Sequence, residues 1–178
     1  MNADLVLVEA ILSGSEDAMQ EVYSRHARDV WVFLRHYLND GGICEEIRDE
    51  VFVEVWKNAS KFRAQGTLKS WIFGIARHRA MDSLRHGRGN VPLDEQMAVP
   101  QGADPETDAL RRESMERFNQ ALSSLDEDHR TVLLMAFVGN LSYADIGQAM
   151  GCPEGTIKTR VHYARKKLRE LMPEKRHE

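Results

Sequence analysis

Two stretches of the chain carry side chains of the types that bind nucleic acid. The first is LSYADIGQAMGCPEGTIKTRVHYARKKL, residues 141–168. A short capped helix, a glycine turn and a longer basic helix in this order predict a helix-turn-helix. Its second helix offers Glu154, Thr156, Lys158, Thr159, Arg160 and His162 to base edges and phosphates. Lys158, Thr159 and His162 share an outward face, because residues three and four apart are neighbours on a helix. Arg165, Lys166, Lys167 and Arg169 follow as backbone clamps. The second stretch is KFRAQGTLKSWIFGIARHRAMDSLRHGR, residues 61–88. Here Lys61, Arg63, Lys69, Arg77, Arg79, Arg85 and Arg88 alternate with Phe62, Trp71 and Phe73. Single strands need this mixture, since bases stack on aromatics while cations follow phosphates. Trp71 and Phe73 stand at helical spacing and are expected in the core. The arginines have one acidic residue in their own stretch, Asp82, and are expected free to meet phosphate.

Catalytic and metal chemistry find no comparable pattern. Cys44 and Cys152 are the two cysteines, and neither HExxH nor CxxC occurs. His78 and His86 stand eight residues apart, too far along a helix to share an ion. No catalytic residue, cofactor or metal is therefore expected, and a redox or metal enzyme is the weakest reading. Cys44 opens a helix, where a thiolate is favoured. The plainer expectation is a surface cysteine without a redox role.

The elements that would position these residues are all helices, since strand signals are absent. Residues 17–39 place Val22, Val30, Phe33, Leu34, Tyr37 and Leu38 at three-to-four spacing, and Asn39-Asp40-Gly41-Gly42 is expected to end the helix in a left-handed cap. Residues 44–58 align Ile47, Val51, Val55 and Asn58, with Phe52 and Trp56 beside them. Gly66 breaks the chain, and Thr67 is expected to cap a helix over 67–86 bearing Leu68, Trp71, Ile72, Ile75, Ala76, Arg79 and Leu84. Leu5, Val8, Ile11 and Leu12 predict a further helix near the start, with all four on its buried face. Later helices are expected over 106–123 (core Leu110, Met115, Phe118, Leu122 and Leu125), 129–138, 142–150 and 154–171. Ser142 and Asp145 have capping-box spacing, with Asp145 placed to reach back to the cap amide. Ile146, Met150, Ile157 and Val161 are expected to hold the helix-turn-helix together, and Ala164, Leu168 and Leu171 to be buried after them.

Charge is segregated along the 178 residues. Residues 1–56 hold 4 basic and 12 acidic side chains, and residues 57–90 hold 8 and 1. Residues 91–153 hold 4 and 11, and residues 154–178 hold 8 and 4. Two basic stretches within a chain of net charge −4 suggest two contacts with a polyanion. Residues 91–108, VPLDEQMAVPQGADPETD, hold three of the five prolines and five acidic residues without helical or strand period. They read as an acidic, flexible linker. The expected organisation is thus all-α, with two small helical domains at 1–90 and 109–178 joined by residues 91–108. No stretch approaches the roughly 18 apolar residues of a membrane helix, and the start lacks the basic flank of a secretory signal. A cytoplasmic protein without membrane insertion is expected.

At this point three blocks resemble the bacterial RNA polymerase sigma factors of the sigma-70 family, in its small extracytoplasmic-function group. CEEIRDEVFVEVWKNASKF is similar to the helix that binds core polymerase. GTLKSWIFGIARHRAMDSLRHGR is similar to the helix that handles the promoter minus-ten element. ALSSLDEDHRTVLLMAFVGNLSYADIGQAMGCPEGTIKTRVHYARKKLREL is similar to the domain that binds the minus-thirty-five element. The blocks occur in the family's order and cover nearly the whole chain.

The resemblance implies a role for each position. Glu45, Glu46, Asp49, Glu50 and Val53 match the surface that docks on core polymerase, with Asp49 where glutamine is common and Arg48 where an apolar residue is common. Trp56 belongs to the same helix and is expected as a core anchor. Asn58, Lys61, Phe62 and Arg63 match the loop that receives a flipped base of the melted non-template strand. Lys69, Arg77, Arg79, Arg85 and Arg88 match phosphate- or duplex-facing positions of the minus-ten module. Glu154, Thr156, Lys158, Thr159, Arg160, His162, Tyr163, Arg165 and Lys166 match the minus-thirty-five surface, Tyr163 standing where arginine is common. The implied partners are core RNA polymerase, promoter DNA as duplex and melted strand, and an anti-sigma factor. The implied function is promoter-specific initiation under a stress or envelope signal, without catalysis. A stand-alone helix-turn-helix regulator is the alternative, and it leaves the acidic helix and the aromatic-basic stretch unexplained.

Overall fold

A computed structural model describes residues 2–38, 40–87 and 105–172. Eight α-helices and one 3₁₀ turn make up the described residues: α1 (Ala3–Leu12), α2 (Glu16–Arg35), α3 (Gly41–Asn58), the turn Ala59–Lys61, α4 (Leu68–Arg85), α5 (Pro105–Ser123), α6 (Glu127–Phe137), α7 (Tyr143–Met150) and α8 (Glu154–Leu171). The all-α reading holds, and each helix expected from periodicity is found. Arg88 and residues 91–104 lie outside the described residues, as do the side chains of Leu110 and Met115.

Local chemistry sets most helix starts. Ser15 Oγ accepts the Ala18 amide at 3.2 Å, and Thr67 Oγ1 accepts the Ser70 amide at 3.1 Å, so both hydroxyls satisfy donors that the first turn leaves free. Between α2 and α3 the structure corrects the sequence reading. Gly41 and Gly42 form the first turn of α3 rather than a left-handed cap, because Asp40 caps that helix by accepting the Ile43 amide at 3.0 Å. An aspartate N-cap thus starts the helix three residues earlier than expected. Pro105 opens α5, a first-turn position where its missing N–H costs nothing.

The first four helices bury the aliphatic and aromatic stripe of α2. Val22, Val30, Phe33, Leu34 and Leu38 are fully enclosed against Ile47, Val51 and Val55 of α3 and Ile72, Phe73 and Ala76 of α4. Each such side chain contributes about 1.5–3 kcal/mol on leaving water. Helix α1 covers this bundle with Val8 and Ile11, while Leu5 and Leu12 stay exposed, Leu12 at 56%. The expected four-residue face is therefore narrower, with Leu7 and Ala10 completing it. In the second half Leu122, Leu125, Val132, Leu133, Leu134, Met135, Ile146, Ile157, Val161 and Ala164 form the core. Leu171 is 46% exposed rather than buried. Trp56 is likewise 38% exposed, so it is not the expected core anchor. The apolar cluster is continuous between the halves, with Phe73 of α4 beside Gly139 after α6. At the same seam the Tyr37 and Thr131 hydroxyls share a buried hydrogen bond of 2.6 Å.

Candidate nucleic-acid interface

The helix-turn-helix is built as its sequence demands. Ser142 caps α7 by accepting the Asp145 amide at 3.1 Å. Gly151 ends that helix at φ 65°, a left-handed cap that glycine enters without steric cost. Gly147 faces the turn so closely that a Cβ would stand 2.7 Å from the Cys152 carbonyl oxygen. Ile146, Ile157 and Val161 lock α7 to α8. Asp145 departs from the capping-box expectation: one carboxylate oxygen accepts the Ser142 hydroxyl at 2.6 Å and the other accepts the Thr67 amide at 3.1 Å.

Most of the α8 residues singled out from sequence are exposed. Glu154, Lys158, Thr159, His162, Tyr163, Arg165 and Lys166 face solvent, and Thr156 is half-buried. Lys158 Nζ holds Glu154 at 2.8 Å, and this hydrogen bond raises the pKa of the ammonium. The His162 and Tyr163 rings meet edge-on at 5.6 Å, and Arg165 lies over the Phe137 ring at 5.0 Å. Arg160 turns away from this surface. Its guanidinium meets Asp128 of α6 at 2.7 Å and Cys152 Sγ at 3.7 Å, so it fastens α8 to α6.

The second site lies around residues 58–79. Phe62 and Trp71 pack with ring centroids 5.7 Å apart, Lys61 and Arg63 are exposed beside them, and Asn58 is half-buried. A cavity of about 440 Å³ opens here, walled by Lys61, Phe62, Arg63 and Trp71 and on its far side by Gln148 and Ala149 of α7. Phe73 is fully buried, and Trp71 is half-buried. The cations of α4 are paired, contrary to the expectation from their own stretch. Lys69 meets Asp29 of α2 at 2.7 Å. Arg77 meets Glu127 at 2.9 Å and Asp128 at 3.4 Å, both on α6. Arg79 grips Glu54 of α3 through Nε at 2.9 Å and Nη2 at 2.6 Å, with Glu50 at 3.5 Å, and the Glu54 hydrogen bond raises its pKa. Arg85 pairs with Asp82 at 2.6 Å. Except for Asp82, the partners arrive from other helices, which no local reading of 61–88 can find.

A third surface is acidic. Glu45, Glu46 and Asp49 are exposed on α3, Glu50 is half-exposed, and Val53 is 50% exposed. Glu46, Asp49, Glu50 and Val53 line a shallow groove of about 510 Å³ that ends at Arg79. Asp49 accepts from Arg48 Nε at 2.8 Å and from the Tyr23 hydroxyl at 3.2 Å, and the Arg48 bond lowers its pKa. Among the described residues no group of three or more His, Cys, Asp or Glu could hold a metal ion. Cys44 is enclosed rather than at the surface, and burial pushes its thiol up to about 11.

Known proteins resemble this chain in sequence and fold. Residues 22–89 match the family Sigma-70 region 2, and residues 115–168 match Sigma-70, region 4. The RNA polymerase sigma factor CarQ of Myxococcus xanthus is 30% identical over 171 residues, covering 94% of this chain and 96% of the relative. The ECF RNA polymerase sigma factor SigC of Mycobacterium tuberculosis is 32% identical over 156 residues, covering 87% of this chain and 83% of the relative. Among solved structures, the sigma factor RpoE of Bartonella quintana, in complex with the anti-sigma factor NepR, superposes with a TM-score of 0.70 at 24% identity, covering 91% of this chain and all of that one. With both sigma regions present in order and full-length relatives at this identity, the chain belongs to the extracytoplasmic-function group of sigma-70-family RNA polymerase sigma factors.

Proposed function

We propose that the chain docks on core RNA polymerase through Glu45, Glu46, Asp49, Glu50 and Val53 of α3 and directs the enzyme to promoters with two spaced elements. In this reading α8 reads the minus-thirty-five duplex with Lys158, Thr159 and His162, and its remaining exposed cations clamp phosphates. The cavity beside Phe62 and Trp71 receives a base of the melted minus-ten strand. Lys61 and Arg63, exposed beside it, follow that strand's phosphates. Residues 1–90 act as the minus-ten and polymerase-binding domain, residues 91–108 as the linker and residues 109–178 as the minus-thirty-five domain. The chain catalyses nothing itself, as sigma factors are initiation factors. It acts in the cytoplasm, where polymerase and DNA are. No described helix is long and apolar enough to cross a membrane. An anti-sigma factor holds it until a stress or envelope signal arrives; RpoE of Bartonella quintana is bound by such a partner.

One observation carries this reading: a sigma region 2 and a sigma region 4 lie on one chain, the first with an exposed acidic helix and the second with an exposed basic one. Run-off transcription with purified bacterial core polymerase on a genomic promoter library tests it. Transcripts that need the protein and share two upstream elements are expected. Absence of both transcripts and core binding, with tight duplex binding by the free chain, would establish a stand-alone regulator instead.

A further inference from the structure

Lys69, Arg77, Arg79 and Arg85 of α4 are all held by carboxylates of the chain itself. His78 of the same helix stays open. Its side chain is 74% exposed, and it borders the cavity beside Phe62 and Trp71. Trp71, Ile75 and His78 stand on successive turns of one helix face, since residues three and four apart are neighbours, and all three border that cavity. From Trp71 to His78 the helix rises about 10 Å. A strand that seats one base beside Trp71 therefore brings a neighbouring nucleotide past the imidazole. The ring is also oriented. Its Nδ1 lies 3.2 Å from Asp82 Oδ2, and Asp82 Oδ1 meets Arg85 at 2.6 Å. A proton on Nδ1 faces the carboxylate, which fixes the tautomer of the neutral ring and leaves the lone pair of Nε2 for an outside donor.

We propose that His78 is a base-reading residue of the melted strand, in which Nε2 accepts a hydrogen bond from the exocyclic amine of the base next to the one held in the cavity. This rests on the reading of residues 58–79 as the minus-ten surface. Adenine and cytosine carry such an amine and thymine carries none, so thymine is disfavoured at that position. Lys61 and Arg63 follow phosphates and bind every sequence alike, whereas an acceptor aimed at a base edge discriminates. His86 is the natural comparison. It is exposed near the end of α4 but does not border the cavity, and its Nδ1 lies 2.7 Å from the Asp82 carbonyl oxygen.

The test pairs a protein variant with a base analogue. Holoenzymes assembled on core polymerase from the parent chain, His78→Ala and His86→Ala each select from a pool of fluorescent single-stranded oligonucleotides of randomised sequence. The parent and His86→Ala should enrich adenine or cytosine at one position beside the base taken into the cavity. His78→Ala should lose the preference there and keep it elsewhere. In the selected strand that base is then replaced by its analogue without the amine, purine for adenine or 2-pyrimidinone for cytosine. The parent should bind the analogue about fivefold more weakly, the worth of one hydrogen bond, and His78→Ala should bind both strands equally. Because the side chain is exposed, His78→Ala should keep the urea midpoint of the parent. Identical selection profiles, or equal sensitivity of both proteins to loss of the amine, overturn the inference. A uniform loss of binding by His78→Ala across all sequences overturns it too, since that marks a phosphate contact. If the parent holoenzyme selects no strand at all, or if Lys61→Ala with Arg63→Ala binds the selected strand as the parent does, the minus-ten reading itself falls.

Discussion

Single residues show how placement overrides type. Cys44 stands near a helix start, which favours a thiolate, yet its enclosure against the Leu38 carbonyl raises its pKa to about 11. Native protein should therefore label at Cys152, which is partly exposed, and Cys44 should label only after unfolding. Mass spectrometry after a pulse of iodoacetamide separates the two. Histidines extend the point to pH. Burial lowers the pKa of His36, aided by Arg35 and Arg130 and opposed by the Asn119 hydrogen bond. Burial and nearby Lys69 lower that of His26. Both therefore take up a proton at lower pH in the folded chain than in the unfolded chain, where a histidine protonates near pH 6.5. Below that pH the unfolded state binds more protons, so stability falls as pH falls. Urea midpoints should drop between pH 7.5 and 5.5, and His36→Gln should flatten part of that slope. Arg160 is a third case. Its type and position suit phosphate binding, but its bond to Asp128 makes it a fastening between α8 and α6.

At the scale of elements, caps and close approaches decide where helices start and how they meet. Ser142→Ala removes the acceptor for the Asp145 amide and should cost about 1 kcal/mol. Gly147→Ala has two opposed effects. Alanine improves helix propensity by about 1 kcal/mol, but its Cβ would press to 2.7 Å of the Cys152 carbonyl, a backbone atom that cannot rotate away. Overpacking of this kind costs about 1–3 kcal/mol, so the variant should be destabilised despite its better propensity. Thermal denaturation followed by circular dichroism gives the sign. Asp40 belongs to the same scale: a single carboxylate converts an apparent Gly-Gly helix stop into a helix start.

In the whole molecule the two halves share one apolar core, with a polar seam laid over it. Tyr37→Phe removes the hydroxyl that pairs with Thr131, itself fully buried. The orphaned threonine should cost about 1–3 kcal/mol. The loss falls on the seam, so a single calorimetric transition in the parent should broaden or split in the variant. An unchanged single transition at the parent temperature would mean that the two halves are not coupled through this bond.

The sequence by itself determined the eight described helices, most of their inward faces and the helix-turn-helix, because hydrophobic spacing, capping residues and glycine turns act over a few neighbours. It also carried the family, since the three blocks keep the family's order. It could not assign the partners of Lys69, Arg77 and Arg79, whose carboxylates are contributed by α2, α6 and α3 across 25 to 51 positions. Nor could it place Asp145 on the Thr67 amide, 78 positions away. Trp56 and Leu171 read as core by type and spacing, but burial depends on which helix lies opposite, and no described residue covers them fully. Charge interactions and burial are set by distance through space, so only the tertiary structure decided which cations are engaged and that α7 closes over α4.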